Sequence, residues 1–383
     1  MRIGLVLEQF DPRRGGLECW TARFAEQLVH RGHEVHVVAR QFNLGSDAVR
    51  VIAHPLPHAR SRLGFAEAAE ATLRTLPLDV IHDMGAGWYC DVFHPHGGSW
   101  DSITERKLLL HPPWLRPIKR RVDRLLPRHR QYRALLARQY ADRGQVMVAL
   151  SQAVADDFRR FHGVAPERIR VVYNGVDTDR FSPEHRGAYR QTVRDQLGVD
   201  DDALLALVVA HNFRLKGVPT ALRAVGRLVA EGRKIHLAVV GGRRLQPWRR
   251  LARRLGIGGH VTLVGPTGAA VPYYAAADVY VHPTYYDTCS LVVLEAAAAG
   301  LPVITTRLNG VAELLDDGRD ALLISDPADD RTLAERLRRL FDPDLRARLG
   351  SAARATALRH PFTGNVDQLL SLYHEITARR RAA

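Results

Sequence analysis

Short, nearly continuous apolar runs alternate along this chain with stretches of helical period. In the first half the runs fall at 2–8, 34–40, 50–55, 79–84, 90–95, 146–151 and 169–175. In the second half they recur at 204–210, 235–242, 260–265, 278–283, 302–306 and 321–325. A strand apolar on both faces is buried on both faces, and strands joined through helices run parallel with right-handed crossovers. The pattern occurs twice in 383 residues, more than one hydrophobic core usually serves. It predicts an α/β chain of two doubly wound, Rossmann-like domains, with residues 1–173 and 174–360 as the units. The boundary is set at Tyr173-Asn174-Gly175, where a strand meets an Asn-Gly turn signal. Residues 361–383, amphipathic through Leu369, Leu370, Leu372, Tyr373 and Ile376, are expected as a terminal helix packing back on the first domain.

Charge is the compositional anomaly. Lys+Arg number 55 against 41 Asp+Glu, a formal +14. Such a surplus points to a polyanion, a membrane surface or a phosphorylated substrate. Only four of the basic residues are lysine, so part of the arginine is attributed to codon usage. Three scattered cysteines, Cys19, Cys90 and Cys289, give neither a disulfide framework nor a zinc site, which fits a reducing cytoplasm. The apolar start of MRIGLVLEQF is too short for a signal peptide, and no run reaches the roughly 20 residues of a membrane span.

Four loops carry candidate chemistry. Gly15-Gly16 lies between the first strand and a helix over 17–31, where bare backbone and free N–H groups favour an anion. It lacks the Gly-x-Gly-x-x-Gly spacing of a dinucleotide fingerprint. His211 to Gly217, after the first strand of the second domain, holds Arg214 and Lys216 at the edge where doubly wound sheets bind ligands. In 282–306, Asp287 and Glu295 bracket a strand-to-helix turn, with Thr288 and Ser290 as cap candidates and the N–H groups near Ser290 and Leu291 as phosphate donors. Eight helical steps would separate the two carboxylates by roughly 12 Å, beyond the reach of a glycosidase pair. Last, His94 and His96 precede Gly97-Gly98. Two imidazoles without a third ligand do not make a metal site, and His96 is assigned to the pocket lining.

Two further features read differently. The Asp-x-Asp triplets at 177–179 and 342–344 are assigned to turns and caps rather than to a metal–nucleotide. The stretch 106–143 sets Arg116, Lys119, Arg120, Arg121, Arg124, Arg128, Arg130, Arg133 and Arg138 among leucines, with Trp114 nearby. A basic amphipathic segment of this kind suits an anionic bilayer, and no nucleic-acid-binding motif accompanies it.

Taken together, Gly15-Gly16, Asn174-Gly175-Val176-Asp177, Lys216-Gly217 and the 282–306 segment resemble the glycosyltransferase family 4 group of GT-B enzymes. Lipopolysaccharide core glucosyltransferases look most similar within it. The resemblance implies two domains facing across a cleft and retaining transfer from a nucleoside-diphosphate sugar, a UDP-sugar favoured, without a metal or other cofactor. The implied acceptor is a glycan or glycolipid, at the inner face of a membrane. It assigns Glu295 to the ribose, Asp287 to donor-sugar hydroxyls, and Lys216, Ser290 and Leu291 to the diphosphate. Gly15, Gly16 and His96 would face the reacting centre. Asp287 replaces the family's usual glutamate, and His211 stands where its arginine is expected, so Arg214 is the candidate replacement. A sugar-nucleotide epimerase and a non-enzymatic anion-binding protein are the alternatives; no nucleic-acid partner is expected.

Overall fold

The computed structural model describes residues 1–382 other than 13, 44–49, 58–60 and 126, and leaves aside the side chains of 124–131. Arg124, Leu125, Arg128 and Arg130 of the basic stretch therefore lie outside the described side chains. The chain divides into two compact units, one of residues 1–173 with 363–383 and one of residues 174–362.

The first unit is built on β1 (Arg2–Val6), β2 (Gln9–Phe10), β3 (Glu34–Ala39), β4 (Gln41–Phe42), β5 (Ile52–Pro55), β6 (Val80–Asp83), β7 (Val92–Phe93), β8 (Val146–Ala149) and β9 (Ile169–Val171). Seven of these form one sheet in the order β5-β3-β1-β6-β7-β8-β9, while β2 and β4 pair separately. Every pairing is parallel; Leu5 sits beside Val37 on one side and His82 on the other. Ile3, Leu5, Val37, Val38 and Val80 are completely buried, as strands covered on both faces require. The order reverses between β1 and β6, so the crevice of this unit opens beyond their carboxyl ends. Gly16–His30 is the first crossover helix, burying Trp20, Phe24 and Leu28, and Gly32 at φ +77° follows its end.

The terminal helix Phe362–Ala382 packs in the first unit although it follows the second in sequence. It buries Val366, Leu369, Leu370, Leu372 and Tyr373. Each such side chain contributes about 1.5–3 kcal/mol when fully buried. Polar contacts fix its register: Asn365 Nδ2 donates to Tyr173 O at 2.6 Å, and Arg380 pairs with Asp91.

The second unit repeats the plan with β10 (Leu204–Val209), β11 (Ile235–Val240), β12 (Val261–Gly265), β13 (Val279–His282), β14 (Val303–Thr306) and β15 (Ala321–Ile324). They form one parallel sheet in the order β12-β11-β10-β13-β14-β15, reversing between β10 and β13. All thirteen expected strands are present. The two-residue β2 and β4 are additions, too short to show any period.

Candidate active site

The site of the second unit forms where the loops after β10 and β13 meet at the reversal point. Gly217, at φ +72°, ends the first loop and caps the helix Val218–Ala230. A Cβ at this position would lie 1.9 Å from Pro283 O, so only glycine lets the two loops touch. Tyr285 N–H donates to Leu215 O at 2.8 Å, locking one loop on the other.

That lock brings together charges 71 residues apart. Lys216 Nζ donates to Asp287 Oδ2 at 2.5 Å and to Tyr286 O at 3.2 Å. His282 Nε2 lies 3.3 Å from the same carboxylate oxygen, and its Nδ1 lies 3.3 Å from Tyr280 Oη. Burial disfavours the ionised Asp287, but the Lys216 ammonium and the bond from His282 outweigh it and hold the carboxyl well below the usual range. Burial lowers the pKa of His282, so the ring stays neutral and donates to Asp287. His282 is a site residue that the sequence reading assigns no role, although it opens the 282–306 segment.

The backbone at Asp287 is extended, bridged to Asn309, with Gly310 N–H donating to Asp287 O at 2.9 Å. The helix begins only at Leu291 and ends at Ala298. The helical estimate of the Asp287–Glu295 separation therefore does not apply, because half of the intervening chain is not helical. Ser290 occupies the cap position without a side-chain capping bond, and Thr288 does not cap. Ser290 N–H is taken by Asn309 Oδ1 at 3.3 Å, which leaves Leu291 to Val293 as the first-turn N–H groups lacking intrahelical acceptors. Ser290 Oγ is buried and has no partner among the described residues. One turn on, Glu295 Oε2 accepts from Tyr274 Oη at 2.8 Å. Asn174, from the linker signal, donates to Cys289 O at 2.7 Å and so steadies the turn that presents Ser290.

Arg214 and His211 are exposed on the β10 loop, and neither side chain joins the Lys216–Asp287 pair. Gly241 and Gly242 were legible only as a strand end. A Cβ on Gly241 would lie 2.2 Å from Ala210 O, and one on Gly242 2.5 Å from the Phe213 ring. Bare backbone thus borders the same crevice from β11.

In the first unit, Gly15 is the helix cap in extended backbone and Gly16 is the first helical residue. Neither needs a left-handed conformation, so their value is the absence of a side chain at a helix start. The Trp20 ring of that helix lies 4.4 Å from the His96 ring, and the His94 ring lies 4.2 Å from the same imidazole. Behind them His94 Nδ1 lies 3.1 Å from His82 Nε2, and His82 Nδ1 meets Tyr373 Oη of the terminal helix. Burial depresses all three imidazoles, His96 to about 3, so they are neutral at ordinary pH.

Among the described residues, no three His, Cys, Asp or Glu side chains converge as a metal site. Asp177 accepts from Arg180 N–H at 2.9 Å in a turn, and Asp342 caps the helix Pro343–Leu358.

Two family profiles match the chain, one in each half. A family profile described as "Glycosyltransferase Family 4" matches residues 14–180, and one described as "Glycosyl transferases group 1" matches 204–343. A D-inositol 3-phosphate glycosyltransferase of Corynebacterium jeikeium is 32% identical, over 98% of this chain and 97% of that protein. The lipopolysaccharide glucosyltransferase WaaG of Escherichia coli is 30% identical, over 88% and 89%. A crystal structure of a WaaG superposes with a TM-score of 0.83 at 24% identity, covering 97% and 99% of the two chains. Anabaena HepE, solved with UDP-glucose, gives 0.73 at 19%, covering 98% and 100%.

Proposed function

The chain belongs to the family 4 glycosyltransferases, and from that membership we propose that it moves a sugar, with retention, from a nucleoside-diphosphate sugar to a glycan or glycolipid of the cell envelope. One observation carries the reading: Lys216 Nζ stands 2.5 Å from Asp287 Oδ2 at the carboxyl edge of the second sheet, beside the start of the Leu291–Ala298 helix. In the donor complex, Lys216 turns its charge to the diphosphate while Asp287 accepts from sugar hydroxyls. First-turn N–H groups from Leu291 onward add their dipoles to the same phosphates. Glu295, oriented by Tyr274, accepts from the ribose. A UDP-sugar is the favoured donor, since a neighbour in fold was solved with UDP-glucose.

As the anomeric C–O bond breaks, negative charge grows on the leaving diphosphate, and Lys216 with the helix start stabilises it. The acceptor hydroxyl attacks from the same face and gives its proton to the leaving phosphate oxygen, so retention needs no protein nucleophile. This chemistry asks for no metal or cofactor. Arg214 is the reserve cation on the loop. Gly15, Gly16 and His96 serve the acceptor side.

A lipid-linked acceptor is supported by the exposed apolar stripe Trp114, Ile118 and Val122, which are 72%, 56% and 48% exposed at a helical spacing. Lys119, Arg120 and Arg121 flank it, the composition of a helix that lies in an anionic interface. No described helix is long and apolar enough to cross a membrane.

The test is a thermal-shift panel of UDP-, GDP- and ADP-sugars, followed by incubation of the best donor with and without a lipopolysaccharide-core acceptor. The expected product keeps the donor's anomeric configuration and forms only with acceptor. Release of an epimerised sugar from donor alone would contradict the reading.

A further inference from the structure

A second cationic surface lies on the other unit. Residues 232–277 carry eight basic side chains and no acidic one, while 106–143 carry twelve against two. The rest of the chain then holds 35 basic and 39 acidic side chains. The whole surplus of the protein therefore sits in two segments, one on each unit, and general arginine usage does not account for it.

The second segment concentrates its charge on the helix Gln246–Arg254 and the turn before it. Arg249, Arg250, Arg253 and Arg254 fall within a single arc of about 140° at 100° per residue, and all four are exposed. Arg243 and Arg244 are exposed beside them. None of the six forms an ion pair among the described residues, whereas Arg338 pairs with Glu231, and Arg223 with Asp330, elsewhere in the same unit. The opposite face is committed to the core: Ala252 is buried, and Trp248, Leu251 and Leu255 pack against the main cluster. Arg249 and Arg253, and Arg250 and Arg254, are like charges at i,i+4, a spacing that weakens a free helix. An anionic surface relieves that repulsion. Because Trp248 is turned inward against Phe213, with centroids 5.8 Å apart, the face offers no aromatic platform for stacking bases.

We propose that the arginine face of Gln246–Arg254 is a docking surface for an anionic lipid bilayer, distinct from the stripe at 114–122. It binds headgroup phosphates by charge alone, with no apolar side chain available to insert. The choice of a bilayer rests on the membrane-acceptor reading above; the surface itself rests on charge and exposure.

Co-sedimentation of the full chain with phosphatidylcholine vesicles, with and without phosphatidylglycerol, tests it. Wild type is expected to bind only the anionic vesicles, more weakly as salt rises. Combining Arg249→Gln, Arg250→Gln, Arg253→Gln and Arg254→Gln is expected to cut that affinity about tenfold or more. The same positions changed to Lys retain it, and both variants keep the UDP-induced thermal shift. Binding of the Gln variant equal to wild type overturns the proposal, as does a wild type that ignores the vesicles but binds duplex DNA. If Trp114→Ser with Ile118→Ser abolishes binding while the Gln variant is unaffected, the membrane-acceptor reading stands and this proposal falls. If the Gln variant alone loses binding, the proposal stands and the docking role of 114–122 falls.

Discussion

Asp287 is where packing and chemistry meet most closely. Its carboxylate is shared by Lys216 and His282, and its depressed pKa means the native state holds it ionised after an unfolded chain would begin to protonate it. The stabilisation is complete above the unfolded value near 4 and fades as pH falls below it. Asp287→Asn leaves Lys216 without its counter-charge, and the unfolding free energy at neutral pH is expected to fall by about 2–4 kcal/mol. Urea titrations should show the gap to wild type narrowing only below about pH 4. Gly217 makes a different kind of demand. Its alanine variant strains a left-handed backbone and drives a methyl against Pro283 O, so a loss of about 2 kcal/mol or more is expected in the same assay.

At the scale of elements, the loop after β7 and the terminal helix are tied through His94, His82 and Tyr373. These histidines are buried and neutral, with pKa values below the unfolded value of about 6.5. The unfolded chain binds more protons between the two values, so stability rises with pH there and is lost as pH falls below about 6.5. Thermal unfolding of wild type should therefore weaken steeply from pH 7 to pH 5. His82→Gln with His94→Gln should start less stable but show a shallower slope. The helices and strands that carry these groups were legible because burial on both faces forces apolar runs, and Gly32 and Gly300 mark helix ends. The partnerships were not. Nothing in the spacing of His282, Tyr274 or Asn309 signals that the first touches Asp287, the second orients Glu295, and the third takes Ser290 N–H. The last two bonds join separate elements and exist only once the sheet has assembled, while the first depends on how the loop after β13 turns back on its own strand. Sequence spacing also misjudged the path from Asp287 to Glu295, because a bridge to Asn309 keeps the first of those residues out of the helix.

Across the whole molecule, the two sheets repeat one topology, each reversing once, and each reversal places candidate chemistry in the loops beyond it. In the second unit Lys216 meets Asp287 in an ion pair, Glu295 is held by Tyr274, and Arg214 stays at the surface. The charge surplus divides between two sequence segments, one in each unit, rather than spreading along the chain. The proposed membrane attachment is separable from catalysis: Trp114→Ser with Ile118→Ser is expected to slow transfer to a vesicle-borne acceptor while leaving kcat on a water-soluble acceptor unchanged. Transfer depends on Lys216 stabilising the leaving diphosphate in the proposed mechanism, and Lys216→Ala removes that charge alone. Turnover of the preferred nucleotide sugar with acceptor should fall by about 100-fold or more in a variant that still unfolds cooperatively. Wild-type turnover in that variant would exclude this role for Lys216.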